Sequence, residues 1–179
     1  LNSKGLRYSY FYRTYDKLRS LGEIDGNLYD AFGKKIKNVK KKDIEDHSSY
    51  DGYSLATDDR YKSHQFYYTE YPYTVEYEYE LEFNGIYYLP AWRPFRGFSF
   101  SVLQSRFILE SPTNYNMRFK LVNYAAQPSE GNDKNSTYKI WEIKNTQAFL
   151  EESYSPSLYE ISPIVYVAPS DFSVGNYKG

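Results

Sequence analysis

The stretch YPYTVEYEYELEF, residues 71–83, alternates between two kinds of side chain. Its odd positions are mostly aromatic or aliphatic: Tyr71, Tyr73, Val75, Tyr77, Tyr79, Leu81 and Phe83. Its even positions are mostly glutamate: Pro72, Thr74, Glu76, Glu78, Glu80 and Glu82. A period of two is typical of a strand with one face in a core and the other in water. We favour this interpretation over an exposed aromatic platform for carbohydrate and over an acidic metal site.

Composition extends this strand interpretation to the whole chain. The sequence is tyrosine-rich, with 23 Tyr and 11 Phe, and aromatic residues make up 20% of it. Aromatic side chains favour pleated, half-buried surfaces. The segments predicted as strands are 7–15, 18–29, 36–39, 53–57, 63–69, 73–83, 86–89, 98–110, 116–123, 138–143 and 161–168. We therefore predict an all-β fold, a two-sheet antiparallel β-sandwich of roughly ten short strands with little helix.

Turn residues predict how some of these strands connect. Asn84 and Gly85 separate two apolar runs, which predicts a hairpin that pairs 73–83 with 86–89. The alternation of the next long strand changes phase near Gln104, which predicts a bulge. The strand 18–29 is predicted to break near Asp25-Gly26, and a helical turn is possible in 145–157. The segments predicted to be irregular or exposed are 40–46, 90–97 and 127–136.

The length predicts the domain organisation. A chain of 179 residues is long enough for one domain with a substantial core. We predict a single sandwich domain over 1–170 and a linker over 171–179 that leads toward a missing downstream domain. The start LNSKG has neither an initiator Met nor a signal-peptide core, which indicates a processed or engineered terminus. No apolar run is long enough for a membrane span.

Charge and residue usage exclude several classes of function. The formal net charge is -1, from 22 basic and 23 acidic residues, so a nucleic-acid partner is not predicted. The chain contains no cysteine, which excludes disulfides, thiolate nucleophiles and thiolate metal sites. The glycine-rich phosphate-binding motifs are absent from the sequence. We therefore predict no cofactor.

Two groups of acids and histidines have the residue types of a metal site. They are Asp43, Glu45, Asp46 and His47 in one group, and Asp58, Asp59 and His64 in the other. Neither group has a metal-binding spacing with a known mechanism. The chain has only two histidines and no nucleophile elbow, so a hydrolase site within it is not expected. We predict no catalytic residue and no metal ligand.

The segment PAWRPFRG contains the best candidate for a binding surface. Its members are Trp92, Arg93, Phe95 and Arg96. An exposed tryptophan beside arginines can stack on a sugar ring or a peptide. The alternative, which we favour, is a loop tryptophan that plugs one end of the sandwich with an arginine over its face. Trp141, in the predicted strand 138–143, is expected in the core.

Several segments in order resemble a known family. They are LYDAFGKKIKNVKKKDIEDHSSYDG, YPYTVEYEYELEF, LPAWRPF, SFSVLQSRFILESP, KIWEIKNTQAFLEESYSP and VYVAPSDF. Together they resemble the N-terminal domain of unknown function of Gram-negative bacterial transglutaminase-like proteins. The resemblance implies a β-sandwich in an exported protein, followed by a papain-related core that holds Cys, His and Asp. The positions that match the family pattern are Pro72, Tyr77, Trp92, Pro112, Trp141, Pro156 and Pro169.

The resemblance implies a function by context. It predicts that this fragment is not an enzyme and that it positions or gates the downstream transglutaminase-like core. It also implies a periplasmic, cell-surface or secreted location. A carbohydrate- or peptide-binding module remains an alternative because of the aromatic content and the Trp92 segment. A surface adhesion or assembly domain that offers an edge strand to a partner is a third possibility.

Overall fold

The computed structural model of the protein describes residues 2–49, 58–85, 89–171, 173–174 and 177–178. The chain divides into two compact units, Leu1–Asn84 (unit 1) and Gly85–Gly179 (unit 2). The predicted all-β class is confirmed, since the strands form several antiparallel sheets and the helices are short. The assignment of 1–170 to one domain and of 171–179 to a linker stays a prediction.

Unit 1 is built from two three-stranded antiparallel sheets. Its described strands are β1 (Tyr10–Tyr15), β2 (Arg19–Tyr29), β3 (Lys35–Asn38), β4 (Glu45–Ser48), β5 (Arg60–Gln65) and β6 (Thr74–Phe83). One sheet has the order β1-β5-β4 and the other has the order β3-β2-β6. Short 3-10 helices cover Ser3–Ser9 and Lys41–Asp43. The core of unit 1 lies between the two sheets, where Phe11 of β1 packs against Tyr77 and Tyr79 of β6.

Strand β6 confirms the predicted separation of its two faces. Its burial alternates at every residue, with the odd positions turned inward and the glutamates exposed. Tyr77 and Tyr79 belong to the core, whereas Glu76 stays outside and accepts hydrogen bonds from Asn27 and Tyr29 of β2. The aromatic side of the opening segment is therefore a core face. The glutamates form a solvated face, on which neighbours along the strand are about 6–7 Å apart.

Strand β2 contains a bulge that keeps its apolar side chains inside. Leu21 pairs with Leu81 and Ile24 pairs with Tyr79, so two residues of β2 lie opposite the single residue Glu80. Because side chains alternate along a strand, residues three apart normally face opposite ways. The extra residue restores the phase, and both Leu21 and Ile24 are buried. The predicted break near Asp25-Gly26 is wrong, since pairing with β6 continues through it.

Gly26 allows a close approach inside unit 1, and this gives a first prediction. A Cβ at Gly26 would lie 2.6 Å from Cγ2 of Val39 and 2.8 Å from Cδ1 of Tyr77. Gly26→Ala should therefore lower the free energy of unfolding by about 1–3 kcal/mol through overpacking. Chemical denaturation followed by circular dichroism measures this loss. Gly131→Ala is the matched control, because a Cβ there meets nothing within 4 Å. A neutral result for Gly26→Ala would contradict the close packing.

Unit 2 has one three-stranded sheet that packs on a two-stranded one. Its described strands are β7 (Val102–Pro112), β8 (Met117–Val122), β9 (Ser129–Asn132), β10 (Ser136–Thr146), β11 (Ile164–Pro169), β12 (Ser173–Val174) and β13 (Tyr177–Lys178). The three sheets have the orders β7-β10-β9, β11-β8 and β12-β13, and a single helical turn, α1, covers Leu158–Ile161. Phe119 of β8 contacts Trp141 of β10 with ring centroids 5.2 Å apart, so the core lies between the first two sheets.

Several local predictions differ from the structure. The start of the predicted strand 7–15 is 3-10 helix, β4 begins within the segment 40–46 predicted to lack strands, and β9 forms within the segment 127–136. The bulge near Gln104 is wrong, because β7 pairs with β10 in one constant register, and the helical turn α1 begins after 145–157. The predicted strand 53–57 and residues 86–88 of the predicted hairpin lie outside the described residues.

Candidate functional site

Trp92 is part of the unit 2 core. Its backbone N–H donates to the Val165 carbonyl at 2.9 Å, and the Val165 N–H donates back at 3.1 Å. The indole is 9% exposed and is stacked near Phe107, and its Nε1 donates to Ser105 Oγ at 2.9 Å. This is the packed position predicted by the plug interpretation. A sugar could stack on the indole only after the core had opened.

The other three members of the predicted surface separate into one buried and two exposed residues. Phe95 is buried and meets Phe149 edge to face, with centroids 4.9 Å apart. Arg93 and Arg96 are exposed. The Arg93 guanidinium carbon lies 5.3 Å from the ring centroid of Tyr159 and 5.7 Å from that of Tyr166. The arginine therefore stands over two tyrosines and not over the tryptophan.

These contacts are part of a wider basic–aromatic face. Tyr166 of β11 pairs with Lys120 of β8, and Ala168 pairs with Arg118, all on the exposed side of the two-stranded sheet. Tyr159 and Tyr166 are 63% and 42% exposed. We call this set the basic–aromatic face, and its members are Arg93, Arg118, Lys120, Tyr159 and Tyr166. It presents three cations with two aromatic rings, a combination suited to anionic or aromatic partners.

The acids near His47, which the sequence did not predict to bind metal, have structural partners. Asp43 accepts a hydrogen bond from the Lys40 backbone N–H, which caps a 3-10 turn. Asp46 accepts from the Tyr15 hydroxyl at 2.8 Å and pairs with Arg60 at 3.1 Å. Glu45 and His47 lie 3.4 Å apart on exposed β4. Among the residues that the structure describes, no cluster of three or more acids and histidines has the geometry of a metal site.

Asp58 and His64, from the second group of acids and histidines, have separate environments. Asp58 forms an exposed ion pair with Lys17, while His64 is buried in unit 1. His64 Nδ1 lies 2.8 Å from the Tyr77 hydroxyl, which donates to the Ser9 carbonyl at 3.1 Å. The neutral histidine with its proton on Nδ1 satisfies this arrangement, because the tyrosine hydroxyl then accepts from it. The sequence offered no sign of this buried hydrogen-bonded chain.

The burial of His64 predicts a pH dependence of stability. Burial lowers the pKa of His64 below its usual 6.5, although Asp43 and Glu45 oppose the shift and Lys37 adds to it. The unfolded state then binds the proton more readily. The contribution of neutral His64 to stability should be fully present above the pKa of His64 in the unfolded state. It should be lost as the pH falls below that pKa.

Two single substitutions test this pH effect. Denaturant midpoints at about pH 7.5 and about pH 5.5 should differ less in His64→Gln than in the parent chain. His47→Gln is the matched control, because it removes the same kind of side chain from an exposed position on β4. An equal effect of both substitutions would argue against burial as the cause.

Within the described ranges, no helix has the length and apolar character that a bilayer-spanning segment needs.

The four residues of the predicted binding surface are therefore a buried tryptophan, a buried phenylalanine and two exposed arginines. Tyrosines that the sequence did not connect to them lie beside Arg93.

Comparisons with known proteins agree with this fold. The model of a family described as a domain of unknown function with a solved structure, DUF3857, matches residues 1–149. The crystal structure of a "putative protease" from Parabacteroides distasonis is similar, with a TM-score of 0.78 at 14% sequence identity. The similarity covers 96% of this chain but only 35% of that longer one. No curated protein sequence matches the chain. Because the family match spans most of its length, the chain belongs to the DUF3857 family of domains of unknown function.

Proposed function

We propose that this chain is a non-catalytic N-terminal domain of an exported transglutaminase-like protein, in which it positions or gates a downstream core with Cys, His and Asp. The observation that carries the proposal is the similarity of nearly the whole chain to 35% of a longer protein that is named a "putative protease". The order of the family-like segments and the absence of cysteine from this sequence also support the assignment of catalysis to the downstream core.

The basic–aromatic face is the surface that suits such a role. Arg93 is held over Tyr159 and Tyr166 by its neighbour Trp92, which is fixed by paired backbone hydrogen bonds to β11. Exposed arginine and tyrosine side chains on a rigid support are typical of the residues that dominate protein interfaces. We propose that this face contacts the catalytic core in the longer protein.

The test compares two proteins from the native gene. The 179-residue chain should be inactive against peptide and acyl-transfer substrates. The longer gene product should be active and should lose that activity when its own catalytic cysteine is replaced. In the longer protein, Arg93→Glu should change the catalytic rate by about fivefold or more, the lower end of typical coupling energies. Arg96→Glu, a nearby exposed arginine outside the face, serves as the matched control.

Two results would contradict the proposal. One is thiol-independent hydrolysis by the 179-residue chain that disappears on substitution of His47 or His64. The other is a native gene product that contains no downstream Cys, His and Asp domain. The exported location is tested separately, by fractionating cells that produce the native protein and locating it by immunoblotting.

A further inference from the structure

A cleft of about 350 Å³ opens at one end of unit 2. Its floor is two rows of side chains that cross the sheet β7-β10-β9. The register fixes the rows as Leu109, Lys139 and Glu130 in one, and Ser111, Thr137 and Asn132 in the next. Loop 113–116, Met117 of β8 and Tyr138 of β10 complete the lining. The cleft therefore lies between the sheet and the segment that leads into the opposite sheet.

The floor belongs to the core face of its sheet. Trp141 is 1% exposed, and Lys139 and Thr137 lie two and four residues before it on β10. Side chains two apart on a strand share a face. Lys139 Nζ accordingly lies 5.9 Å from the ring centroid of Phe119, a core residue. The inward face thus changes from aromatic to polar along one strand.

A polar inward face needs partners for its hydrogen-bonding groups. Ser111 Oγ and Thr137 Oγ1 lie 3.1 Å apart, and Lys139 forms an ion pair with Glu130. Three amide side chains also line the cleft, those of Asn114, Asn116 and Asn132. Unsatisfied polar groups that leave water are costly, so such a lining favours a ligand rich in donors and acceptors.

The charge and shape of the cleft narrow the class of ligand. Among its lining residues only Lys139 and Glu130 are charged, and they neutralise each other. Tyr115 adds an aromatic ring, which is fixed because its hydroxyl donates to the Asp171 carbonyl. A volume of about 350 Å³ is within the range of small-molecule sites. A neutral, polyhydroxylated ligand fits these features better than an ion or a lipid.

We propose that this cleft binds a neutral saccharide of one or two rings. The hydroxyl pair and the amides would exchange hydrogen bonds with sugar hydroxyls, and Tyr115 would contact a ring face. This site is separate from the Trp92 segment, which the sequence offered as a candidate binding surface. The inference does not depend on the proposed function, since it concerns binding by the 179-residue chain alone.

The test is a titration of the ¹⁵N-labelled 179-residue chain, followed by amide chemical shifts. The probes are cellobiose, maltose and N,N′-diacetylchitobiose, each raised to about 20 mM, which nearly saturates a site with a Kd of about 1 mM. At least one probe should shift the amides of Glu130, Asn132, Thr137 and Lys139 in a saturable manner. An alanine-rich neutral peptide serves as the comparison ligand and should leave these amides unchanged.

Two variants connect the binding to the cleft. Thr137→Val and Asn132→Ala should each weaken the saccharide by about fivefold or more, as expected for one lost hydrogen bond. Thr146→Val is the matched control, because Thr146 lies at the opposite end of β10 and should bind as the parent does. Backbone amide spectra show whether each variant keeps the fold.

Three outcomes would overturn the inference. In the first, none of the three disaccharides shifts the cleft amides. In the second, saccharide binding is equally strong in Thr137→Val and Asn132→Ala. In the third, the shifts occur at the basic–aromatic face, or only with the peptide. None of these outcomes bears on the catalytic role of the longer protein, so the two proposals fail separately.

Discussion

Trp141→Ala should lower the free energy of unfolding by about 3–5 kcal/mol, the range for deleting a large buried aromatic side chain. The indole is 1% exposed at the centre of the unit 2 core. It stacks near Phe107 at 5.6 Å and meets Phe119 edge to face at 5.2 Å. Removal of the ring leaves a cavity between two sheets that cannot close without moving both. Denaturation followed by far-ultraviolet circular dichroism measures the loss.

Two further substitutions interpret that result. The Trp141 Nε1 is buried and has no hydrogen-bond partner among the described residues. Trp141→Phe removes this unsatisfied donor and keeps one ring, so it should cost less, below about 2 kcal/mol. Tyr154→Ala changes a fully exposed aromatic residue of the same unit and should stay within about 0.5 kcal/mol. A loss below about 1 kcal/mol for Trp141→Ala would mean that the core is not packed as described.

Tyr77→Ala should also cost about 3–5 kcal/mol, in unit 1. The ring lies 5.2 Å from Phe11 and 5.7 Å from Phe66, measured between centroids, and 5.8 Å from the His64 ring. Its hydroxyl holds the chain that joins His64 to the Ser9 carbonyl. The substitution therefore removes aromatic packing and a buried hydrogen-bonded group together.

The two contributions of Tyr77 can be separated. Tyr77→Phe keeps the ring but leaves His64 and the Ser9 carbonyl without their partner, at a cost of about 1–3 kcal/mol. Glu78→Ala, the neighbour on the solvated face of β6, should change stability by less than about 0.5 kcal/mol. If Tyr77→Ala itself stays below about 0.5 kcal/mol, the ring is on the surface and the face assignment is reversed.

The same variant tests the prediction of a single domain over 1–170. Both tryptophans, Trp92 and Trp141, lie in unit 2, so tryptophan fluorescence reports on that unit, whereas Tyr77 lies in unit 1. If 1–170 unfolds as one domain, Tyr77→Ala should shift the fluorescence transition and the circular dichroism transition equally. A fluorescence transition that stays at the parental midpoint would show that the units unfold separately.

Strand β6 illustrates what the sequence predicts well. Ten residues of strict alternation predict both the strand and its buried face, because apolar side chains favour the core and glutamates favour water. The bulge in β2 was not predicted for the corresponding reason. Leu21 and Ile24 are three apart, and only the pairing with β6 shows that one extra residue brings them to the same face. Strands β4 and β9 are short and polar, and their pairing with neighbours, not their side chains, makes them strands.

In the candidate sites too, local sequence patterns predicted some features, and contacts between distant residues determine the others. The burial of Trp92 agrees with the packed position of the plug interpretation, which rests on a tryptophan between prolines in an irregular segment. Its neighbour Arg93, however, meets tyrosines more than sixty residues away in the chain, which no local pattern predicts. The sequence contains one sign of the polar cleft, since Thr137 and Lys139 occupy the same alternating positions as Trp141. Only the register with β7 and β9 shows which residues lie beside them.

Strand β11 follows the segment that the family match covers, which ends at residue 149. Yet β11 contributes Val165 and Val167 to the core around Trp141 and is the partner of β8. A polypeptide shortened to residue 149 would expose that apolar surface and leave the edge of β8 open to other molecules. The family match therefore ends where sequence similarity ends, and the folded unit continues beyond residue 149. The expressed polypeptide should therefore extend at least through Pro169. The insolubility of a shorter one would reflect the missing β11 and not an unstable protein.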